Sequence, residues 1–377
     1  MSRSPWELRL RISRGLFQYS LRTLLLVTTL VAVWLSLWMY RTPMRIDKEV
    51  HAFHWSPDGQ RVAFVGWEEP VEIRDAASLQ PLHTVAGRLI DFAFSPDPDV
   101  VACCENGRFA EIRNLRSGTV IQLDAQNDQP DLAFSPDGRL LATGGDGKAV
   151  RLWQVADGKL LNELSTGPVE GGLRPVFSPD GKTLAVGNRN STTRLFDVES
   201  GKPLHQLSRP MTQELRFDPT GRKLAVSYVD GRVGLWDVAT GSLEHLCDTG
   251  AEEIYTLDWS PDGRRLAAAG LKGDVLMLDG QNLTILERRP GAEWVISVKF
   301  SPDGSRLLTA GGQQVTGGKR WVEVRKPPSR WVEGILIGML WLLGAALIVL
   351  GAVVPAARRL ARSRRGVRRG SPTPPPP

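Results

Sequence analysis

The chain has 377 residues, a formal net charge of +6 and three cysteines. Cys103, Cys104 and Cys247 make no even framework, which excludes a fold held by disulfides. The positive balance comes largely from the chain ends, since the stretch after Pro355 alone supplies seven arginines.

The N-terminal tail, 1–22, carries Arg3, Arg9, Arg11, Arg14 and Arg22. An apolar run follows from Leu24 to Tyr40, long enough to cross a bilayer at about 1.5 Å per helical residue. Basic residues precede it as in a signal peptide, but Leu37-Trp38-Met39-Tyr40-Arg41 offers no small-residue cleavage site. The run is therefore read as an uncleaved anchor, a transmembrane helix over 23–40. Trp34, Trp38 and Tyr40 serve as its interfacial aromatics. Within 43–48, Met44–Lys48 reads as a strand with no partner in its own neighbourhood.

From residue 51 the chain repeats itself. Seven times an aromatic residue runs into a proline-centred turn: WSPDG, FSPDP, FSPDG, FSPDG, FDPTG, WSPDG and FSPDG, with prolines 57, 96, 136, 179, 219, 261 and 302. Intervals of 39 to 43 residues mean one supersecondary unit used repeatedly. Before each turn, apolar residues alternate, as in Phe92 and Phe94, Leu257 and Trp259, Val298 and Phe300. That period of two predicts a first strand with one buried face. Proline presets φ at the second turn position, Asp suits the third, and Gly takes the positive φ that closes the hairpin. Pro98 stands where the second copy needs that glycine, and proline cannot adopt positive φ, so a distorted turn is predicted there.

A second strand follows each turn, with Ala in six copies and Leu308 in the seventh. A small residue at that point suits a strand near a crowded axis, where sheets approach one another. Third strands come next (VEIRD, AEIRN, VRLWQV, TRLFDV, VGLWDV, VLMLD, WVEVRK), and six copies continue into a fourth apolar segment. Four short strands in some forty residues describe one propeller blade. The last copy ends at Lys326 without a fourth strand, so Met44–Lys48 is predicted to pair with Trp321–Arg325 and leave no edge open.

Beyond Pro327-Pro328 lies a second apolar run, Ile335–Val354, uncharged and predicted to span as a helix over 333–354, with Trp331 as its interfacial anchor. The Arg- and Pro-rich tail, 355–377, ends in SPTPPPP, a solvated polyproline-like segment. Twelve arginines lie in the two outer tails against eight basic residues on the flanks facing the repeats. That balance puts both termini in the cytoplasm and the repeats outside it, in a two-pass cell-membrane protein. The basic C-terminal tail is read as topogenic, with no nucleic acid expected.

The repeats resemble the WD40 family in their FSPDG turns, Leu-Ala second strands and RLWDV-type third strands. Phe134–Val155 and Phe217–Val238 match best, and the resemblance covers roughly residues 44–326. It implies an all-β fold, a seven-bladed WD40-like β-propeller over 43–326 with one transmembrane α-helix on each side. The Gly-His dipeptide that opens such repeats is missing, so the family's Asp-His-Ser-Trp network cannot form as usual. Only Trp153 and Trp236 hold the signature Trp, with Phe196 in its place in the fourth repeat. Apolar packing is expected to replace the polar tetrads.

No catalytic constellation is found: there is no nucleophile elbow, P-loop or dinucleotide fingerprint, and no cofactor is called for. His51, His54, His83, His205 and His245 lack metal-like spacing and read as surface residues. Asp146, Asp230 and Asn190 read as turn formers. Loops of a rigid scaffold carry binding, and Trp and Arg dominate interfaces. The candidate protein-binding rim is therefore Trp67, Arg189, Arg209, Met211, Trp294, Lys319 and Arg320, beside the glycine-rich loop 311–320. The opposite face, with the proline turns, carries Arg61, Arg139, Lys182, Arg222, Lys223, Arg264, Arg265 and Arg306 and is expected to face the bilayer. The resulting expectation is a membrane-anchored, non-enzymatic scaffold for an unidentified protein partner. The alternative is a small-ligand sensor or enzyme with a site in the central channel.

Overall fold

In the computed structural model the described residues are 44–46 and 50–325, less 51, 67–69, 88, 106–108, 125–130, 145–148, 168–171, 189–191, 272–273, 290–293 and 313–319. Every regular element among them is a strand. A short β1, Met44–Ile46, comes first. The first repeat gives β2 Ala52–Trp55, β3 Arg61–Val65, β4 Val71–Asp75 and β5 Pro81–Val85. The second gives β6 Leu89–Phe94, β7 Val100–Glu105, β8 Phe109–Asn114 and β9 Val120–Asp124. The third comprises β10 Leu132–Phe134, β11 Leu140–Thr143, β12 Ala149–Gln154 and β13 Leu160–Ser165. The fourth comprises β14 Leu173–Phe177, β15 Thr183–Asn188, β16 Thr192–Asp197 and β17 Pro203–Pro210. The fifth holds β18 Thr212–Phe217, β19 Lys223–Tyr228, β20 Arg232–Asp237 and β21 Leu243–Asp248. The sixth holds β22 Ile254–Trp259, β23 Arg265–Gly270, β24 Val275–Asp279 and β25 Ile285–Arg289. The last has three strands, β26 Trp294–Phe300, β27 Leu307–Gly312 and β28 Arg320–Arg325.

Six of these repeats form antiparallel sheets of four consecutive strands. The remaining sheet has the order β1-β28-β27-β26, so the strand upstream of all the repeats completes the last one. Its register pairs Met44 with Val324, Arg45 with Glu323 and Ile46 with Val322. Consecutive first strands touch in chain order, and β26 touches β2, which makes the architecture an all-β propeller. Among the described residues no helix is long and apolar enough to cross a membrane; both predicted spans, 23–40 and 333–354, lie outside those residues.

The turns show why the sequence repeats so strictly. Ser56 Oγ donates to Asp58 and accepts the Arg61 amide, while Gly59 N–H closes onto Ser56 O at φ +69°. Ser135, Ser178, Ser260 and Ser301 repeat this arrangement. In FDPTG the two roles are exchanged: Thr220 donates to the Asp218 carboxylate, which accepts the Lys223 amide at 2.8 Å. At Pro98 the expected distortion is present. With no N–H at that position the closing bond moves on, from Val100 N–H to Asp97 O, and Asp97 N–H turns to Ser95 Oγ. Each turn glycine abuts the proline of the preceding repeat, Gly138 on Pro96 and Gly181 on Pro136, and the series closes with Gly59 on Pro302. At Gly138, Gly221 and Gly304 an added Cβ would come within 3.3 Å of the neighbouring blade, which would have to give slightly.

Packing joins blades at every seam. Ala63 is fully buried in a cluster with Phe92 and Phe94 of the next sheet. Ala142, Ala185, Ala225 and Ala267 stand at equivalent seams. The seventh seam sets Leu308 and Ala310 against Phe53, Phe64 and Val62. The alternation seen in sequence thus buries an apolar residue and an aromatic of the first strand between sheets, where small second-strand residues leave them room. Polar tetrads are replaced as expected, but the tryptophans keep partners. Trp153 Nε1–H donates to Thr143 at 3.0 Å, and Trp236 Nε1–H donates to the Tyr228 hydroxyl at 2.8 Å. The three cysteines are free, Cys103 and Cys104 buried, Cys247 partly so.

Candidate functional site in the axial cavity

The inner edges of the first strands line the axis, and residues of both alternations reach it. Along β18 and β22, buried and half-buried residues alternate toward the turn: Leu215 and Phe217 bury while Glu214 and Arg216 do not, and Leu257 and Trp259 bury while Asp258 does not. The seven first strands come together around a cavity of about 440 Å³. Its wall includes His54, Asp91, Asp131, Arg174, Glu214, Arg216, Thr256, Ser297 and Lys299. Asp91, Asp131, Arg174 and Glu214 lie three residues before the turn aromatic, and Arg216, Asp258 and Lys299 lie one before it.

These groups form a ladder running round the axis. Asp91 accepts its own neighbour's amide, Phe92 N–H, at 2.8 Å and reaches the next blade's Leu132 N–H at 2.7 Å. Arg174 stands 3.9 Å from Asp131 and donates to Glu214 at 3.0 Å and to Gln213 O at 2.8 Å. Arg216 grips the other Glu214 oxygen at 2.6 Å and approaches Asp258 at 3.9 Å. Asp258 in turn lies 3.7 Å from Lys299 and accepts the next blade's Phe300 N–H at 2.7 Å. Trp259 Nε1–H donates to Arg216 O, which fixes the backbone beneath that guanidinium.

The order of charge is therefore acid, acid, base, acid, base, acid, base. Desolvation, then the neighbouring Asp131, pushes the Asp91 carboxyl up to about 8, against the two amides and Arg174. Desolvation likewise raises Asp258 despite Lys299 and Arg216. Lys299 is lowered by desolvation and by Arg216. Asp131 and Arg174 remain 39% and 46% exposed, so their mutual attraction is screened and weak. Among the described residues no group of His, Cys, Asp and Glu could hold a metal ion.

The predicted rim is only partly visible. Trp67, Arg189 and Lys319 lie outside the described residues, as do His51, Asp146 and Asn190. Arg320 begins β28 opposite Gly312. Arg209 ends the outer strand β17, pairs with Asp230 of the next blade and stacks 4.7 Å from the Tyr228 ring. Met211 beside it is 52% exposed at φ +68°. Trp294 lines the axial cavity, close to the mouth where β26 begins. His54, placed from sequence in the first strand of blade one but read as a surface residue, lines the cavity from β2.

The basic turn face needs correction too. Arg61 pairs with Asp99 at 2.9 Å, Lys223 pairs with Glu244 at 3.0 Å, and Arg306 bonds Ala76 O while stacking 4.9 Å from Trp55. Those three tie the molecule to itself. Arg139 and Arg264 stay more than four-fifths exposed.

Sequence reasoning missed the whole ladder. The signal was available, since Asp91, Arg174, Glu214, Arg216, Asp258 and Lys299 occupy the alternate positions of strands whose other positions are apolar.

Known proteins with similar repeats agree with this architecture. Residues 174–213 and 209–260 match the family described as the anaphase-promoting complex subunit 4 WD40 domain, and 121–154 match the WD domain, G-beta repeat. Coronin-7 of Mus musculus is 27% identical over 180 residues, 47% of this chain and 15% of that protein. Coronin-7 of Rattus norvegicus is 28% identical over 164 residues, 43% and 14% of the two chains. Protein groucho of Drosophila melanogaster is 30% identical over 125 residues, 31% and 17%. The chain thus spans less than a fifth of the length of these relatives.

Proposed function

We propose that the protein is a membrane-anchored, non-enzymatic WD40-repeat scaffold, a seven-bladed propeller that binds a protein partner through loops on one face. The observation carrying this is the closure of the last sheet. In each of the other sheets the third and fourth strands are joined by a hairpin at the proline-turn face. In the last sheet that hairpin is opened, because β28 ends and β1 begins there with Met44 opposite Val324. Both chain exits therefore leave from one face, each a few residues from an apolar run in the sequence. The proline-turn face lies toward the bilayer in this reading.

Exposed aliphatic residues near the start of the outer strands support it. Leu82, Val120, Leu160, Leu204, Leu243 and Ile285 all sit at the proline-turn end of their strands. Arg139 and Arg264 add basic charge on that face, each contributing about 1 kcal/mol beside an anionic surface. The far rim, with Arg209 and Met211 among its described residues, is left for the partner. The termini are placed in the cytoplasm and the propeller outside.

Two measurements on intact cells test this. Protease added after permeabilising only the outer envelope should degrade the propeller and spare an N-terminal tag; degradation only after inner-membrane lysis would reverse the orientation. A photocrosslinking residue at Met211 should give a discrete protein adduct that the same residue at Arg139 does not. Lipid-only adducts from both positions would end the scaffold reading.

A further inference from the structure

The charge ladder has an acidic end and a basic end, and topology brings those ends near each other. It starts at Asp91 and Asp131 in blades two and three and finishes at Lys299 in blade seven. Only blade one separates them, and it contributes Ala52, Phe53 and His54 to the wall. Within the ladder each charge is bracketed by opposites: Glu214 lies between Arg174 and Arg216, and Asp258 between Arg216 and Lys299. At the acidic end, the charge that acts most strongly on Asp91 is another acid, and its oxygens rest on the backbone amides of Phe92 and Leu132. At the basic end, Lys299 has one acid at 3.7 Å, already shared with Arg216.

A cavity of about 440 Å³ falls within the roughly 300–1,000 Å³ that suits a small molecule. We propose that this axial cavity is a binding site for a small zwitterion, with its ammonium seated at Asp91 and Asp131 and its carboxylate at Lys299. Such a ligand brings a positive charge to the paired acids and a negative charge to the lysine. A monovalent amine would engage only the acidic end, and a simple carboxylate only the basic one. Charge-assisted hydrogen bonds are the strong ones, and a water-accessible cavity between rigid strands holds both ends at fixed spacing. Burial, and after it the like-charged neighbour at each end, also shows in titration, with Asp91 up to about 8 and Lys299 below its ordinary range. The groups around Asp91 are Asp131 ahead of β10, Arg174 on β14 and Cys104 on β7, with His54 of β2 in the same wall. An arriving ammonium needs Asp91 ionised, so binding releases a proton and strengthens as pH rises toward 8. This inference does not depend on membrane tethering or on the protein partner.

The test is calorimetric titration of the full-length chain with glycine, β-alanine and 4-aminobutyrate, against ethylammonium and acetate as single-charge controls. At least one zwitterion should bind saturably, about tenfold or more tighter than either control. Comparison of two buffers of different ionisation enthalpy should show net proton release at pH 7. Asp131→Asn and Lys299→Met should each weaken binding about tenfold or more, while Arg139→Ala leaves it unchanged. Should either cavity variant fail to fold, the selectivity of the unaltered chain still decides. The proposal is overturned if no zwitterion binds saturably up to about 10 mM, or if ethylammonium or acetate binds as well as the zwitterions.

Discussion

Among the described residues Trp236 and Tyr228 are the two largest fully buried side chains, 1% and 2% exposed, and their indole N–H and hydroxyl are joined at 2.8 Å. Trp236→Phe removes the donor, part of a ring packed against Leu215 and Phe217, and leaves a buried hydroxyl with a lost partner. The lost bond with its stranded group costs about 1–3 kcal/mol, and the missing ring atoms about 1–2 kcal/mol more. Tyr228→Phe removes only the hydroxyl and should cost about 1–2 kcal/mol. Once both are gone neither polar group is stranded, so the double variant should be more stable than the sum of the singles implies, by about 1 kcal/mol. Urea unfolding followed by circular dichroism measures all four corners of this cycle. A coupling indistinguishable from zero would refute the idea that this pair replaces the missing tetrad. The same variants give a second, independent reading at high pH. Desolvation pushes the Tyr228 hydroxyl up to about 12, against the Trp236 bond and Arg209. Its folded value thus lies above the unfolded one, so its contribution is intact below pH 10 and is lost between about pH 10 and 12. At about 1.4 kcal/mol per pH unit this amounts to about 3 kcal/mol, and Tyr228→Phe should lack that alkaline loss.

Two glycines at the same backbone angle should respond differently to alanine. Gly118 at φ +75° has open space where a Cβ would point and should cost only the backbone strain, about 1–2 kcal/mol, whereas at Gly231, φ +76°, the new Cβ would sit 1.9 Å from Ala251 O and should cost several times more in thermal unfolding. The exchanged turn should tolerate a second exchange. Asp218→Ala alone should lose about 1–2 kcal/mol by stranding the Lys223 amide, while Asp218→Ser with Thr220→Asp should restore the common arrangement and stay within about 0.5 kcal/mol of the natural chain in urea unfolding. A thiol reagent should label Cys247 first in the native chain. Cys103, pushed up to about 12 by desolvation, and Cys104, raised by the same cause, should react only as the fold opens; equal rates would contradict their burial.

The strands, the turns and the closing pair were legible because each rests on local chemistry. A proline–glycine turn and period-two alternation are properties of about ten consecutive residues, and the absence of a fourth strand after Trp321 points to one donor upstream. Even the fault at Pro98 could be read, because it follows from a missing N–H. The axial site was not legible in the same way. Asp91 and Lys299 each look like a solvent-side residue of an ordinary half-buried strand. Only when seven such strands meet does the polar face become a cavity wall, and then Asp131 acts on the buried Asp91 from the next blade. The partners of Trp153 and Trp236 were hidden for a related reason. Thr143 and Tyr228 occupy second-strand positions that have no motif, and their hydroxyls meet the indoles only through strand pairing.

Met44–Ile46 closes the propeller by pairing with β28. Cysteine crosslinking in the full-length chain, with Cys247→Ser as background, tests it most directly. Under mild oxidation Arg45→Cys with Glu323→Cys should form an intramolecular disulfide in high yield, because those positions are directly opposed. Arg45→Cys with Arg325→Cys, two residues out of register, should remain largely unlinked. Failure of the paired positions to link, or equal yield from the offset pair, would contradict closure by this strand.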